Sequence, residues 1–265
     1  LGKVGKYHMA INTGMNRIGV HYTEAIDFRR SVDFHSGLQC DGTFTHFATA
    51  DEPDGWDHQL QCKRFSEAIS GLREAGFDPG IVHCDNTPGS ILNPSMHFDM
   101  IRAGIGLYGL QPCDRTATVF PLEPVMSIKA RVTHACHPAM GEGVGYGFTY
   151  RVPRTRVEIC TLPIGYADGL PRVLSNRMEV LFDGRRVRQV GNICMDQCML
   201  DVSAVPDALE GDTVTVFGGE ITVDELAARA NTINYEIICG ISKRVPRVFL
   251  RAGKAEYMTD YMSLR

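Results

Sequence analysis

The sequence predicts an α/β fold, with a parallel sheet or barrel over residues 1–117 and a mostly β domain over residues 118–265. Apolar strands and amphipathic helices alternate up to about residue 115, which is typical of parallel sheets. After Pro121 the apolar period changes from helical to alternating, which indicates antiparallel strands. Polar side chains follow the early strands at the ends where such sheets bind ligands, so we expect a site there.

Composition limits the class of protein. The 265 residues are 44% hydrophobic and 22% charged, enough for one large or two moderate globular domains. A net charge of -4 and a pI near 6.1 argue against nucleic acid or an anionic membrane as the main partner. The start of the chain has no apolar signal core, and no apolar run approaches the roughly 20 residues of a membrane span. We therefore expect a soluble, cytoplasmic protein.

The nine cysteines are scattered, and no two form a Cys-x-x-Cys pair. This distribution favours reduced thiols over a disulfide framework. Cys194 with Cys198, or His134 with Cys136 and His137, could be imagined as metal ligands, but their spacing matches no common zinc pattern. The sequence therefore predicts no metal site.

The first half contains three strand candidates separated by helices. Residues 7–20 read as a strand running into a polar turn with Arg17 at its exit, and a helix is expected from about Thr23, an N-cap candidate. The following elements are a strand at 38–48, a helix at 57–75 that stops at Gly76, a strand at 80–85 and a turn at 86–90. Arg17, His46, Asn86, Thr87 and Gly104 all follow predicted strands.

The second half is predicted to be mostly strands. An Asp183-Gly184 hairpin turn and a capping box from Thr222 to Glu225 are its clearest local signals, and the latter announces a helix running toward Ile238. The basic segment 240–247 forms a turn, and its charges alone are typical of a solvated edge. The strand candidates are 125–134, 156–162, 178–182, 185–190, 198–202 and 213–216.

The stretch 97–110 places one arginine in an apolar, glycine-punctuated run. Arg102 cannot shed its proton and is costly to bury without an acceptor, so the fold must offer it a lone pair. Gly104 and Gly106 lack a Cβ, which lets their backbone approach an anion closely. By itself the pattern also fits a strand-end arginine paired with a carboxylate.

Seven motifs in their order resemble the alanine racemases, a family of pyridoxal 5'-phosphate enzymes, and they cover nearly the whole chain. The matching pieces are Thr-Gly-Met-x-Arg at 13–17, Thr-His-Phe-Ala-Thr-Ala-Asp-Glu at 45–52, His-Phe-Asp-Met-Ile-Arg-x-Gly-Ile at 97–105, Val-Gly-Tyr-Gly at 144–147, Ile-Gly-Tyr-Ala-Asp-Gly at 164–169, Ile-Cys-Met-Asp-Gln at 193–197 and Arg-Val-Pro-Arg at 244–247.

The resemblance implies the C-terminal half of a (β/α)8 TIM-type barrel followed by a β-rich C-terminal domain. It also implies a catalytic set of Tyr146, His46 and Arg102. Racemisation removes a proton from one face of the substrate and delivers one to the other. A lysine serves one face in this family, and the tyrosine that matches Tyr146 serves the other from the neighbouring subunit. His46 is its expected partner, and we expect a homodimer with shared active sites.

Further roles follow from the same resemblance. Arg102 is expected on the ring nitrogen of the cofactor, and the phosphate is expected against Gly104, Ile105 and Thr87. The remaining residues match cofactor contacts at Arg17, Asn86 and Lys243, and substrate contacts at Arg17, Tyr166, Met195 and Asp196.

The sequence departs from the family at three places. No lysine lies in the family's early Val-Lys-Ala-x-Ala-Tyr-Gly motif, which suggests a chain lacking the N-terminal portion. Ala10 and Asn12 replace a lysine, modified to a carbamate in many members, and an aspartate, so Asn12 or a bound chloride is expected to orient Arg17. Lys243 stands where some members place a tyrosine on the phosphate, and it could instead face solvent.

The leading functional interpretation is an alanine racemase that interconverts L- and D-alanine and supplies D-alanine for peptidoglycan precursors, present here as an N-terminally truncated chain. A serine or broad-specificity racemase is a second interpretation, because a snug pocket excludes one extra hydroxyl only weakly. An inactive cofactor-binding fragment is the third.

Overall fold

The computed structural model describes residues 2–262, and the chain divides into two compact units that meet in sequence between Val125 and Met126. No helix within this described range is long and apolar enough to cross a membrane. All nine cysteines are free thiols, as the scattered spacing predicts.

The first unit is an α/β layer, which confirms the predicted fold class. Its four strands are parallel and lie in the order β2-β1-β3-β4. Side chains of α2 cover the sheet, where the buried Phe65, Ile69 and Leu72 pack with Met9 and Val82. The elements are β1 (Gly5–Asn12), β2 (Val20–His21), α1 (Ala25–Asp33), β3 (Leu38–Phe44), α2 (Trp56–Glu74), β4 (Ile81–His83), α3 (Thr87–Leu92) and α4 (Asp114–Val119).

Two local predictions in this unit are wrong. Thr23 does not cap α1, because its hydroxyl pairs with His21 Nδ1 at 2.7 Å and the helix begins after a short 3-10 turn. Residues 86–90 do not form a simple turn but begin α3, in which Asn86 Oδ1 accepts a hydrogen bond from Gly89 N. Asn86 is a good N-cap and Pro88 fits the first helical turn, so both residues favour this helix start.

The second unit is mostly β, as predicted. Its main sheet has seven strands in the order β5-β13-β10-β11-β12-β9-β6, and every pairing is antiparallel. The elements are β5 (Ile128–Arg131), β6 (His134–Cys136), β7 (Gly143–Val144), β8 (Tyr150–Arg151), β9 (Ile159–Leu162), β10 (Glu179–Phe182), β11 (Arg185–Val190), β12 (Cys198–Asp201), β13 (Thr213–Phe217), α5 (Val223–Ala230), α6 (Asn234–Gly240), β14 (Arg247–Arg251) and β15 (Lys254–Thr259).

The seven-stranded sheet is curled so that its two end strands meet. The single strand predicted over 125–134 is wrong, because β5 and β6 are separate strands at opposite ends of the sheet order. Between them, Val132 N donates to Asp212 O at 2.8 Å and Thr133 N donates to Thr161 O at 2.9 Å. The two adjacent residues therefore bond to opposite ends of the strand order, which brings the ends together.

The helix predicted to run toward Ile238 is two helices. The cap is confirmed, since Thr222 Oγ1 accepts from Glu225 N at 3.0 Å. Asn231 then adopts the left-handed conformation, with φ 56°, and ends α5 before α6 begins. Asparagine tolerates this conformation better than most residues, and the helical pattern alone did not reveal the break.

Candidate functional site

The guanidinium of Arg102 lies beyond the carboxyl ends of β3 and β4, and four acceptors hold it. Nη1 donates to His83 Nδ1 at 2.5 Å, while Nη2 donates to Thr45 O at 2.8 Å and Cys84 O at 3.0 Å and lies 3.1 Å from His46 Nδ1. No carboxylate among residues 2–262 pairs with it, so the strand-end ion pair is not formed within the described structure. In the described chain Arg102 Nε has no acceptor and is not fully buried, so this N–H is open to a ligand.

Both histidine acceptors of Arg102 are held neutral. Burial, and then the charges of Arg102 and Arg17, lower the pKa of His46. Burial, with Arg102 and His8, lowers the pKa of His83 to about 4. Because arginine only donates, the Nδ1 of each ring carries a lone pair and its proton is on Nε2. His46 can therefore offer an Nε2–H donor at neutral pH.

Thr87 anchors the backbone around the glycines of the Arg102 stretch. Its hydroxyl oxygen accepts from Gly104 N at 3.0 Å and from Gly106 N at 3.3 Å. A Cβ on Gly106 would lie 2.9 Å from Thr87 Cγ2, so this position requires glycine. Gly104 thus does not present its amide to a ligand, whereas the amide of Ile105 has no acceptor in the described residues and the Thr87 hydroxyl keeps its own proton to donate.

The carboxyl group of Asp85, which the sequence analysis did not single out, lies near the helix start that carries Thr87. Asp85 is fully buried, its Oδ2 has no hydrogen-bond partner, and its Oδ1 would be 2.6 Å from a Cβ on Gly89. Burial raises the pKa of Asp85 to about 6, although His97 and Arg102 act in the opposite direction. His97 Nε2 lies 3.9 Å from Asp85 Oδ2.

Gln61 on α2 ties together the loops that carry the predicted site residues. Its Nε2 donates to His46 O and to Thr13 Oγ1, both at 3.1 Å, and its Oε1 accepts from Ala48 N at 2.8 Å. Thr45 Oγ1 donates to Ile11 O, so the Thr13 hydroxyl must donate to Thr45. The network is fully satisfied and fixes the backbone on both sides of His46.

Arg17 lines a shallow, open cleft with Ala10, Asn12, Thr45 and His46. Its side chain is exposed and makes no hydrogen bond or ion pair within residues 2–262. The expectation that Asn12 orients Arg17 is wrong in this structure, because Asn12 Oδ1 accepts from Gly14 N and Asn16 N in its own turn. The guanidinium is left available for an anion.

In the second unit, hydrogen bonds connect the loop of Tyr146, the loop of Tyr166 and the loop of Met195 and Asp196. The surface formed by these four residues is here called the Tyr146 face. Asn192 Nδ2 donates to Tyr146 O at 2.7 Å, and Tyr166 N donates to Cys194 O at 3.1 Å. All four members of the face are exposed, Tyr146 at 74%. Gly145 and Gly147 flank Tyr146 with φ values of 71° and 70°, which explains the glycine on each side.

Lys243 belongs to the second unit, where its Nζ lies 5.9 Å from the ring centroid of Tyr261. Its neighbour Arg244 pairs with the buried Asp168 at 2.8 Å, and Asp168 also accepts from Gly165 N in the loop of Tyr166. The basic turn at 240–247 is therefore more than a solvated edge. Within the described chain, no group of three or more His, Cys, Asp or Glu side chains is arranged to hold a metal ion.

The structure thus gathers Arg17, His46, Thr87, Arg102 and Ile105 in the first unit and the Tyr146 face in the second. Sequence reasoning missed His8, His83 and Gln61. His8 lies within β1; His83 is the last residue of β4 but falls inside the strand predicted at 80–85, and Gln61 lies on a helix face that the pattern marked as apolar.

Comparison with known families agrees with this arrangement. The sequence model of "Alanine racemase, N-terminal domain" matches residues 1–112, and that of "Alanine racemase, C-terminal domain" matches residues 125–249. The first match begins at residue 1 and so does not support the expectation of a missing N-terminal portion.

Relatives with similar sequences give the same result. The alanine racemase of Desulfovibrio desulfuricans is 45% identical over 251 residues, which are 94% of this chain and 67% of the relative. That of Nostoc sp. is 40% identical over 245 residues, 91% of this chain and 63% of the relative. The chain therefore spans about two thirds of the length of these relatives.

Solved structures share the fold. The alanine racemase of Bacillus anthracis, solved with bound L-Ala-P, superposes with a TM-score of 0.91 at 39% identity and covers 98% of this chain and 68% of that one. The enzyme of Clostridium difficile gives 0.92 at 34% identity with the same coverage. The fold and the matches define a chain of the racemase class of isomerases, with a partial TIM-type barrel followed by a β domain. The chain belongs to the alanine racemase family.

Proposed function

We propose that this chain binds pyridoxal 5'-phosphate and contributes to an alanine racemase that interconverts L- and D-alanine for cell-wall precursors. The observation that carries the proposal is the guanidinium of Arg102, held by neutral acceptors with its Nε–H left over. Such a donor suits the lone pair of a pyridine ring. It cannot hand over its proton, so it keeps a bound ring nitrogen largely neutral.

The first unit fits the phosphate and phenolic ends of the cofactor as well. The free amide of Ile105 and the hydroxyl proton of Thr87 are donors for phosphate oxygens, beside the Asn86 loop and the Gly104 backbone. Arg17 provides an unpaired cation on the same side of the sheet as His46. When bound, pyridoxal phosphate supplies the electron-withdrawing ring that makes the α-proton of an amino acid removable.

Tyr146 is the proposed proton carrier for one face of the substrate. An ordinary phenol has a pKa of about 10, so acting as a base near neutral pH requires positive charge or donors close by. His46, with its Nε2–H and its bond to Arg102, provides these groups. We propose a homodimer in which the Tyr146 face of one subunit meets the Arg102 site of its partner, where Tyr166, Met195 and Asp196 contact the substrate.

In this family a lysine within a Val-Lys-Ala-x-Ala-Tyr-Gly motif attaches the cofactor. None of the six lysines of this sequence lies in such a motif; they are Lys3, Lys6, Lys63, Lys129, Lys243 and Lys254. We therefore propose that these 265 residues bind the cofactor without a covalent bond. Racemisation then requires a lysine that they do not supply. For Lys243 two alternatives remain from the sequence: contact with the phosphate as a point charge, or a position facing solvent.

The proposal is tested by adding pyridoxal 5'-phosphate to the purified chain and following the absorption of the cofactor. Saturable binding is expected, and borohydride treatment should leave the mass of the chain unchanged. D-alanine should form only when the lysine-bearing segment of a family member is added. Failure of the chain to bind the cofactor overturns the proposal, while borohydride labelling overturns its noncovalent part.

The shared site is tested by mixing variants in the presence of that segment. Tyr146→Phe and Arg102→Gln should each be inactive, and their mixture should recover about a quarter of wild-type activity, because half the dimers carry one intact site. No recovery, with size-exclusion chromatography showing that mixed dimers form, would exclude a site shared between subunits.

A further inference from the structure

His8 lies behind His83, which is one of the two histidines that contact Arg102. The ring of His83 is 4% exposed, and its two nitrogens face different partners: Nδ1 is 2.5 Å from Arg102 Nη1 and Nε2 is 2.8 Å from His8 Nδ1. The same ring stacks on Phe44 with centroids 5.2 Å apart and planes inclined by 2°. His83 therefore has one orientation, with both nitrogens engaged.

The direction of every hydrogen bond in this chain of residues follows from Arg102. Because a guanidinium only donates, His83 Nδ1 must carry a lone pair, and the single proton of the neutral ring lies on Nε2. That proton is donated to His8, whose Nδ1 must accept. His8 thus stabilises the one tautomer of His83 that can accept from Arg102.

The backbone is shaped to place His8 there. The register of β1 against β3 shifts between Tyr7 and His8, so that Asp41 is bulged and His8 pairs with Gly42. A Cβ on Gly42 would lie 2.6 Å from the His8 ring, so the ring lies over a residue without a side chain. Bulges of this kind redirect side chains beside functional sites.

We propose that His8 is a positioning residue that, through His83, fixes the orientation of Arg102 and so aims the free Nε–H at the cofactor ring. This inference rests on the proposed function for the identity of the ligand. The effect of His8 on the tautomer of His83 is independent of the proposed function, because that tautomer can be measured in the chain without any ligand.

Protonation of His83 would place an N–H against the guanidinium and break the contact. Burial and the charge of Arg102 oppose this, and they keep the pKa of His83 near 4. The groups that face His83 are the guanidinium of Arg102, His8 on β1 and the ring of Phe44 on β3, and none of the three is an anion. Arg102 is therefore held by a neutral acceptor throughout the physiological pH range.

The test compares His8→Leu, which removes the acceptor, with His8→Gln, whose amide oxygen can replace it. His35→Leu is the control, since His35 is an exposed histidine of the same unit away from the site. Long-range proton–nitrogen NMR spectra of the histidine rings report the tautomer of His83 directly. Affinities for pyridoxal 5'-phosphate and for inorganic phosphate are measured in parallel.

We expect wild type, His8→Gln and His35→Leu to show only the Nε2–H tautomer of His83, and His8→Leu to show both. Cofactor affinity should fall roughly tenfold in His8→Leu, as for the loss of one charge-assisted hydrogen bond, and return in His8→Gln, while phosphate affinity stays unchanged. An unaltered His83 tautomer in His8→Leu, or an equal loss of phosphate affinity, overturns the inference.

The two proposals fail separately. If the wild-type chain binds no pyridoxal phosphate, the proposed function is wrong, and the NMR comparison alone then decides whether His8 fixes His83. If the cofactor binds but the tautomer is insensitive to His8, only the positioning role is wrong.

Discussion

The side-chain amide of Gln61 donates a 3.1 Å hydrogen bond to the backbone carbonyl of His46. A helix residue thereby holds the main chain of a proposed catalytic residue, instead of leaving it to a mobile loop. Gln61 and its partner Thr13 are buried, so water cannot replace this hydrogen bond at low cost, whereas His46 and Ala48 lie nearer the surface.

Replacing Gln61 with alanine should therefore destabilise the first unit. The change removes the partner of His46 O, of Ala48 N and of the buried Thr13 hydroxyl, and a buried polar group left unpaired costs about 1–3 kcal/mol. Urea denaturation gives the free energy of unfolding. Gln59→Ala, on the exposed side of the same helix, is the matched control and should change it by less than about 0.5 kcal/mol. Equal losses in both variants would contradict the role of Gln61.

Asp85→Asn should stabilise the chain at neutral pH. Burial raises the pKa of Asp85 from 3.8 to about 6, so the folded chain holds the proton more tightly than the unfolded chain does. Folding therefore loses stability as pH rises from about 4 to about 6, by up to roughly 3 kcal/mol, and the neutral amide avoids this loss. Unfolding free energies measured from pH 4 to 8 should show a gap between the variants that opens over this window. A gap independent of pH would contradict the titration of Asp85.

Thr87→Val should weaken both stability and phosphate binding, since valine keeps the shape but offers no oxygen to Gly104 N and Gly106 N. The expected cost is about 1–3 kcal/mol in unfolding free energy. Thr87→Ser retains the hydroxyl and should stay within about 1 kcal/mol of wild type. Thermal denaturation and titration with pyridoxal phosphate measure the two effects, and a valine variant that binds as well as the serine variant would exclude the hydroxyl from the site.

Asn231 provides a test of the break between α5 and α6. Its φ of 56° is costly for a residue with a Cβ and no local polar group, so Asn231→Ala should lose about 1 kcal/mol. Asn231→Gly should be close to neutral, because glycine adopts this conformation freely. Chemical denaturation distinguishes them, and an alanine variant as stable as the glycine variant would show that the conformation carries no cost.

The sequence predicted the parts of the fold that depend on periodicity. The strand and helix order of the first unit and the β character after Pro121 follow from apolar spacing, the capping box follows from the Thr222 to Glu225 motif, and the structure confirms all three. The pattern missed the separation of β5 from β6, because Val132 and Thr133 continue the alternation while bonding to opposite ends of the sheet order.

The sequence predicted only part of the candidate site. Arg102 stood out because a cation in an apolar run needs an acceptor, and the residues around it followed from the family motifs. One of its acceptors, His83, lies on β4, and the position of His8 behind that ring depends on a one-residue register shift of β1 opposite Gly42. No spacing rule specifies such a shift, so only coordinates could reveal it.

The meeting of the two ends of the seven-stranded sheet at Val132 and Thr133 bears on how these molecules behave when crowded. A sheet with a free edge presents a row of unsatisfied amides and carbonyls, which is the template on which fibrils grow. Here the two end strands, β5 and β6, are joined directly through Val132 and Thr133, whose amides bond on the β13 side and on the β9 side. Because the curl places these two ends side by side, a strand from another molecule that adds to one end must compete for space with the other end, which disfavours growth by strand addition on this sheet.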